Sequence, residues 1–348
     1  MSLQSLSHEQ LAKSFESIPF APEEKLTPTA AKVLFAELPI SCASSVAAFV
    51  ESEDYYRRAC FQVAKLGCRV EEHGNSFKRM FFELIIEDIL QTTTDVPRAI
   101  AEVIFTLKAC SPQDLDKVCS QLPNLSALEV KFNDLVASSR ASLSCVPKAL
   151  QVSSHLVCLT VEDSHLSDDD VATMFGGSST NGTILHLNLA HNVITSAGLA
   201  VIVNHFLAPD TSVLCSLDMM GNRIDSEGGS ILGQVLATNE SMLSLNLRLN
   251  DLGDVGGSDI LDSLQRNESI RCVNLSANFL GSRTAEALVR LFDKTKSPSL
   301  EAVIITSNPF SDDDEEVIRS CKNCFLDVRG GSSPGREEMF LGKSIMPF

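Results

Sequence analysis

ILHLNLAHNVI, residues 184–194, carries apolar side chains at its first, fourth, sixth and eleventh positions and an Asn at its ninth. The same pattern returns as LSALEVKFNDL (125–135), LVCLTVEDSHL (156–166), LCSLDMMGNRI (214–224), MLSLNLRLNDL (242–252), IRCVNLSANFL (270–280) and LEAVIITSNPF (300–310). Only the second copy, with Ser164, lacks the Asn. The second apolar slot falls at Leu128, Leu159, Leu187, Leu217, Leu245, Val273 and Val303, so the steps are 31, 28, 30, 28, 28 and 30 residues. Alternation of apolar and polar residues over the L-x-L core predicts a short strand that buries Leu187 and Leu189 and turns Asn188 outward. The Asn that ends each strand is suited to hydrogen-bond turn backbone that would otherwise be buried and unpaired.

Between copies the period changes to that of an amphipathic helix, in SAGLAVIVNHFL (196–207), EGGSILGQVLAT (227–238), GGSDILDSLQRN (256–267) and RTAEALVRLFDK (283–294). Gly198, Gly228 and Gly256 stand six residues past the Asn, where a close helix–strand approach is expected. One such unit cannot cover its own apolar face, so neighbours must stack, with parallel strands on a concave side and helices outside. The unit is a leucine-rich repeat. The expected fold is α/β: a ribonuclease-inhibitor-like leucine-rich-repeat solenoid, a horseshoe of about seven repeats with an N-terminal α-helical cap.

Residues 1–120 show no repeat and read as a helical cap and docking region. Helices are expected over 26–38, 54–66, 76–90 and 97–109. The array is expected over 121–330, closing with a strand in FLDVRG (325–330), and 331–348 reads as an extended tail.

The chain has 28 Lys and Arg against 45 Asp and Glu, a net charge of −17, no Trp and two Tyr. Bulk binding to nucleic acid needs the opposite charge, and stacking platforms for single strands are scarce. No apolar run reaches the ~20 residues of a membrane helix, and MSLQSLSHEQ, without a basic stretch followed by an apolar one, is not expected to act as a secretory signal. Eleven Cys scattered through apolar segments suggest a reduced intracellular protein. Against the acidic background, residues 55–79 hold six basic residues and two acidic ones. Arg57, Arg58, Lys78 and Arg79 are therefore candidate contacts for an acidic partner, unless they pair with the chain's own carboxylates.

Two stretches of the cap carry a resemblance. They are Asp54-Tyr55-Tyr56-Arg57-Arg58 and His73-Gly74-Asn75-Ser76-Phe77-Lys78-Arg79-Met80-Phe81-Phe82-Glu83. Followed by leucine-rich repeats, they resemble the T-complex-associated testis-expressed protein family, subunit five of the nexin–dynein regulatory complex. That family carries Asp-x-Tyr-Trp-Lys-Arg and then His-Gly-Gly-Ser-Trp-Lys-Arg-x-Phe-Phe-Glu. Each family Trp is another aromatic here. The resemblance implies a scaffold in the cytoskeleton of the cilium or flagellum, in the axonemal link that regulates dynein. The implied partners are other regulatory-complex subunits, coiled-coil ones among them, with dynein or doublet microtubule components. A Ran-type GTPase-activating leucine-rich-repeat protein is the alternative, and a ribonuclease-inhibitor-like binder of a basic enzyme a third reading.

Chemistry-bearing constellations point to structure rather than catalysis, so no catalytic residue, cofactor or metal is expected. Cys321 and Cys324 form a lone C-x-x-C without the second pair that zinc needs. Cys158, Cys215 and Cys272 read as small buried fillers. Asp168–Asp170 and the run Asp312–Glu316 read as helix-start acids. His73 and Ser76 have no evident third group to orient them, and Ser76 suits a helix N-cap. The outward strand positions are the candidate binding face. They include Asn188, Asp218, Asn246 and Asn274, four before the Asn slot, and Arg248, two before it.

Overall fold

The computed structural model describes residues 53–63, 70–92, 96, 98–101, 104, 106–110, 118, 121–122, 124–130, 156–176, 183–207, 212–294 and 299–320. The helix expected over 26–38, the closing strand at 325–328, the tail and the Cys321/Cys324 pair lie outside them. The chain divides into two compact units, residues 1–110 with 114–128, and residues 111–113 with 129–348.

In the first unit, α1 (Glu53–Val63) packs on α2 (Phe77–Thr92). Tyr55, Tyr56 and Phe82 are wholly buried, and the Tyr56 ring lies 5.8 Å from both the Phe81 and the Phe82 ring. The aromatic at the family's first Trp position thus fills a core. Its partner at the second, Phe77, is half-buried. A short helix α3 (Arg98–Ala101) and strand β1 (Thr106–Cys110) follow. The helix expected through 109 therefore stops early. Val103, Ile104, Phe105 and Thr106 form a run of β-branched and aromatic residues, which favours extended chain over a further helical turn. Strand β2 (Ala127–Val130) falls in the first repeat copy.

The second unit is the repeat array. Its strands are β3 (Cys158–Thr160), β4 (His186–Asn188), β5 (Ser216–Asp218), β6 (Ser244–Asn246), β7 (Cys272–Asn274) and β8 (Ala302–Ile304). They pair in parallel, each with the next in sequence. The register sets Leu159, Leu187, Leu217, Leu245, Val273 and Val303 in one buried row. After each strand comes a helix: α4 (Asp168–Phe175), α5 (Ser196–Ile202), α6 (Ser226–Leu236), α7 (Gly253–Leu264), α8 (Ser282–Lys294) and α9 (Asp312–Ser320). Their apolar faces, such as Leu232 and Leu236 on α6 or Ile260, Leu261 and Leu264 on α7, close the core against the strands. Each such Leu contributes roughly 1.5–3 kcal/mol by burial.

The close approach at the glycines is between helices, not helix and strand. A Cβ at Gly229 would lie 2.4 Å from Gly256 Cα, and one at Gly256 would lie 3.0 Å from Ser226 Cα. The first turns of α6 and α7 are therefore in backbone contact. At Gly198 and Gly228 the neighbours are the preceding repeat's Asp168 and Ser196 side chains, together with Ile194 and Ile224.

Two polar columns tie the repeats together, in opposite directions. The Asn column serves the preceding repeat. Asn192 Oδ1 accepts from the backbone N–H of Ser164 and Leu166, while its Nδ2 donates to Val161 O and Leu189 O. Asn222, Asn250, Asn278 and Asn308 repeat the arrangement. The second column serves the following repeat and sits at the first or second position of α4, α5 and α7. Asp168 accepts from Thr195 N, Thr195 Oγ1 and Gly198 N. Ser196 Oγ accepts from Asp225 N and Gly228 N, and Asp254 accepts from Gly281 N, Arg283 N and Thr284 N. These N–H groups are donors a helix start leaves unpaired, and each is satisfied from next door.

The acidic runs open helices as expected. Ser167 with Asp170, and Ser311 with Asp314, form reciprocal caps at the starts of α4 and α9. A further Asn pair went unread in the sequence. Asn239 and Asn267, each in Asn-Glu-Ser, cap the turn after their own helix and donate to backbone of the preceding repeat.

Candidate partner-binding surface

Strand residues alternate half-exposed, buried, half-exposed in β3, β4, β5, β7 and β8. The buried row faces the helices, so the half-exposed rows form the open face of the sheet. Asn188, Asp218, Asn246 and Asn274 are successive register partners on that face. Their recurrence has a local cause. Each side-chain oxygen accepts from the backbone N–H two residues on, at Ala190, Met220, Arg248 and Ser276 respectively. Asn246 also donates to Asp218 at 3.0 Å and is only 6% exposed. The column is thus partly committed to holding the strand ends, with Asn188, Asp218 and Asn274 half-exposed and Arg248 exposed beyond it.

Cys158, Cys215 and Cys272 are not buried fillers but half-exposed thiols. The repeat position of Cys158 and Cys272 is an outward one, which the L-x-x-L spacing already implied. Desolvation pushes the Cys158 thiol up, Glu129 adds to this, and a hydrogen bond with Thr160 opposes it. Desolvation and Glu301 likewise raise Cys272. Thiols held protonated are poor nucleophiles.

In the first unit, the 3₁₀ turn Val70–His73 leads through Gly74 (φ +65°) and Asn75 (φ +59°) into α2. Ser76 caps α2 by accepting from Arg79 N, and Glu53 of α1 accepts from Ser76 Oγ and Phe77 N. A group that orients His73 does exist: Glu83 Oε2 lies 2.6 Å from His73 Nδ1, and its other oxygen accepts from Arg79 Nε at 2.9 Å. Ser76 faces Glu53 rather than His73, so the set makes no nucleophile–base pair. Among the candidate cations, Arg79 is paired with Glu83 and Lys78 Nζ sits 5.8 Å from the centre of the Tyr56 ring. Arg57 is exposed and Arg58 half-exposed.

A groove of mixed lining borders the last repeats, where the residues flanking each Asn slot emerge. Leu249, Ala277, Phe279 and Pro309 share it with four polar residues, Asp251 among them, around a volume of about 520 Å³. Phe279 is 66% exposed and Leu249 44%. The sequence held a signal for it. The second to fourth copies flank the same slot with Asp163 and His165, His191 and Val193, or Gly221 and Arg223, whereas a large apolar residue stands there in the first copy (Phe132) and again from Leu249 onward.

Among the described residues, no group of three or more His, Cys, Asp or Glu is placed to hold a metal ion, and no helix is long and apolar enough to cross a membrane.

The Leucine Rich repeat family matches residues 180–203, 213–233 and 238–261, which span the third to fifth copies. The second unit is thus a leucine-rich-repeat array of the α/β kind. No curated protein matches the chain. Among solved structures it is similar to the actin-binding site 2 of leiomodin-1, at 15% identity and TM-score 0.30, over 46% of this chain and 76% of that one. It is also similar to the yeast Rad7–Elc1 complex, at 13% identity and TM-score 0.32, over 67% and 77%.

Proposed function

We propose that the protein is a non-enzymatic scaffold that holds other proteins, and that its place is the nexin–dynein regulatory complex of the ciliary or flagellar axoneme. The scaffold reading rests on the open sheet face, which offers rigid, evenly spaced polar groups. The axonemal reading rests on the resemblance of Asp54–Arg58 and His73–Glu83 to the complex's fifth subunit. One observation supports it most: the motif behaves as a single folded piece. His73 and Arg79 converge on Glu83, Ser76 caps the helix, and the aromatics form its core.

Partners on this reading are the other complex subunits, with dynein or doublet microtubule proteins beyond them. The test is to tag the full chain in a ciliated cell and extract isolated axonemes with rising salt. Retention on doublets and loss together with the regulatory complex are expected. A protein confined to the cell body, or one that stimulates GTP hydrolysis by a Ran-like GTPase, would end the axonemal reading.

A further inference from the structure

We infer that the groove around Phe279 is a docking site for a basic amphipathic segment of a partner protein, one that inserts a large apolar side chain and sets Lys or Arg beside it. The inference rests on reading the chain as a protein-binding scaffold, but it does not need the axonemal location.

The patch is local. It occupies the fifth to seventh copies, while the equivalent places in the second to fourth hold polar or small residues and Val193. It is therefore no requirement of the repeat. Residues just before the Asn slot take a left-handed backbone in every described copy, from Asp163 (φ +49°) to Ser307 (φ +59°). Phe279 follows the slot and is left-handed as well, at φ +58°, a conformation shared at that place by the polar His165 of the second copy (φ +49°). A bulky residue in that region is strained, and such strain concentrates at binding sites. Here it holds an aromatic ring outward at 66% exposure, beside Leu249, Ala277 and Pro309. An exposed apolar cluster rimmed by polar groups marks an interaction surface.

Charge selects the occupant. Asp251 is exposed and is the one charged residue in the groove's lining. Arg248 is the opposing charge in the same stretch, and the whole chain carries −17. An apolar anchor flanked by cations complements this rim, whereas an acidic segment is repelled. A second acidic copy of this chain is disfavoured for the same reason.

The experiment uses the full chain and two labelled peptides of about 15 residues, each helical with Leu and Phe on one face, one flanked by Lys and the other by Glu. Fluorescence anisotropy reads binding. Saturable binding of the Lys peptide is expected, weakened at least about tenfold by Phe279→Asn and about threefold by Asp251→Asn, with less salt dependence in the latter. Asn tolerates the left-handed backbone, so Phe279→Asn should melt no lower than the parent. Equal binding of the Glu peptide, or affinity unchanged by Phe279→Asn, would overturn the inference. So would concentration-dependent dimers in sedimentation that Phe279→Asn abolishes, since a second copy would then be the occupant. Failure here leaves the axoneme-retention result untouched.

Discussion

The carboxylate of Asp254 and the first turn around Thr284 belong to different repeats yet form one helix cap. Oδ1 accepts from Thr284 N at 2.8 Å and from Thr284 Oγ1 at 2.7 Å, and Oδ2 accepts from Arg283 N. Burial pushes the Asp254 carboxyl up, but the bonds from Thr284, Arg283 and Gly281 outweigh it and hold the group below its ordinary value. A carboxyl depressed in the folded state stabilises fully above its unfolded value and loses that contribution as pH falls through the folded one. Asp254→Ala should therefore lower stability by about 1–2 kcal/mol at pH 7. The difference should shrink in urea melts once the pH is taken below about 4.

Asn250 should be less replaceable than any residue on the open face. Its Nδ2 donates to Met219 O and Leu247 O, and its Oδ1 accepts from Ile224 N. Asn250→Ala leaves those groups buried and unpaired, at roughly 2–4 kcal/mol. Asn274→Ala, at a half-exposed site, should cost about 1 kcal/mol or less. Paired chemical melts separate the two.

Gly229 and Gly253 offer a contrast between lost space and lost conformational freedom. Ala at 229 puts its Cβ 2.4 Å from Gly256 Cα, so α6 and α7 must part. Gly253 has nothing within 4 Å but sits at φ +59°. Gly229→Ala should destabilise by roughly 1–3 kcal/mol, and Gly253→Ala by about 1–2 kcal/mol. Hydrogen exchange distinguishes them: the first should speed exchange across both helices, the second only at the start of α7.

Cys158 and Cys272 should alkylate slowly at neutral pH although both are half-exposed, because desolvation raises both thiols. Iodoacetamide labelling read by mass spectrometry should accelerate only at alkaline pH, beyond where a free cysteine (pKa about 8.5) responds.

The array was legible because its signal is a period. Leu187, Leu217 and Leu245 recur at the spacing that one coil of strand and helix requires, and Asn192, Asn222 and Asn250 occupy the one place where an amide can serve two repeats. The cross-repeat caps were not legible, because the position accepts either of two chemistries: Asp168 and Asp254 carry a carboxylate, Ser196 a hydroxyl, so no one residue type marks it throughout. Asn239 and Asn267 did recur, inside Asn-Glu-Ser, but only twice. Asn188, Asn246 and Asn274 recur on the outward face, and periodicity cannot reveal that each oxygen also accepts from its own strand end. In the cap, Ile104 and Leu107 fitted either a helix face or a strand. The β-branched run around them decided for the strand. Phe279 escaped notice because it lies just outside the slots that define the repeat.

Because one polar column leans backward along the chain and the other forward, the spring has no loose thread. Cutting away its final coil strands amide donors in the turn before it. Cutting away the coil that carries Asp168, Ser196 or Asp254 unmoors the helix that comes after. A fragment that ends at one of these joints ends on such a wound, so peeling back the array from its last coil meets a toll at each Asn in turn.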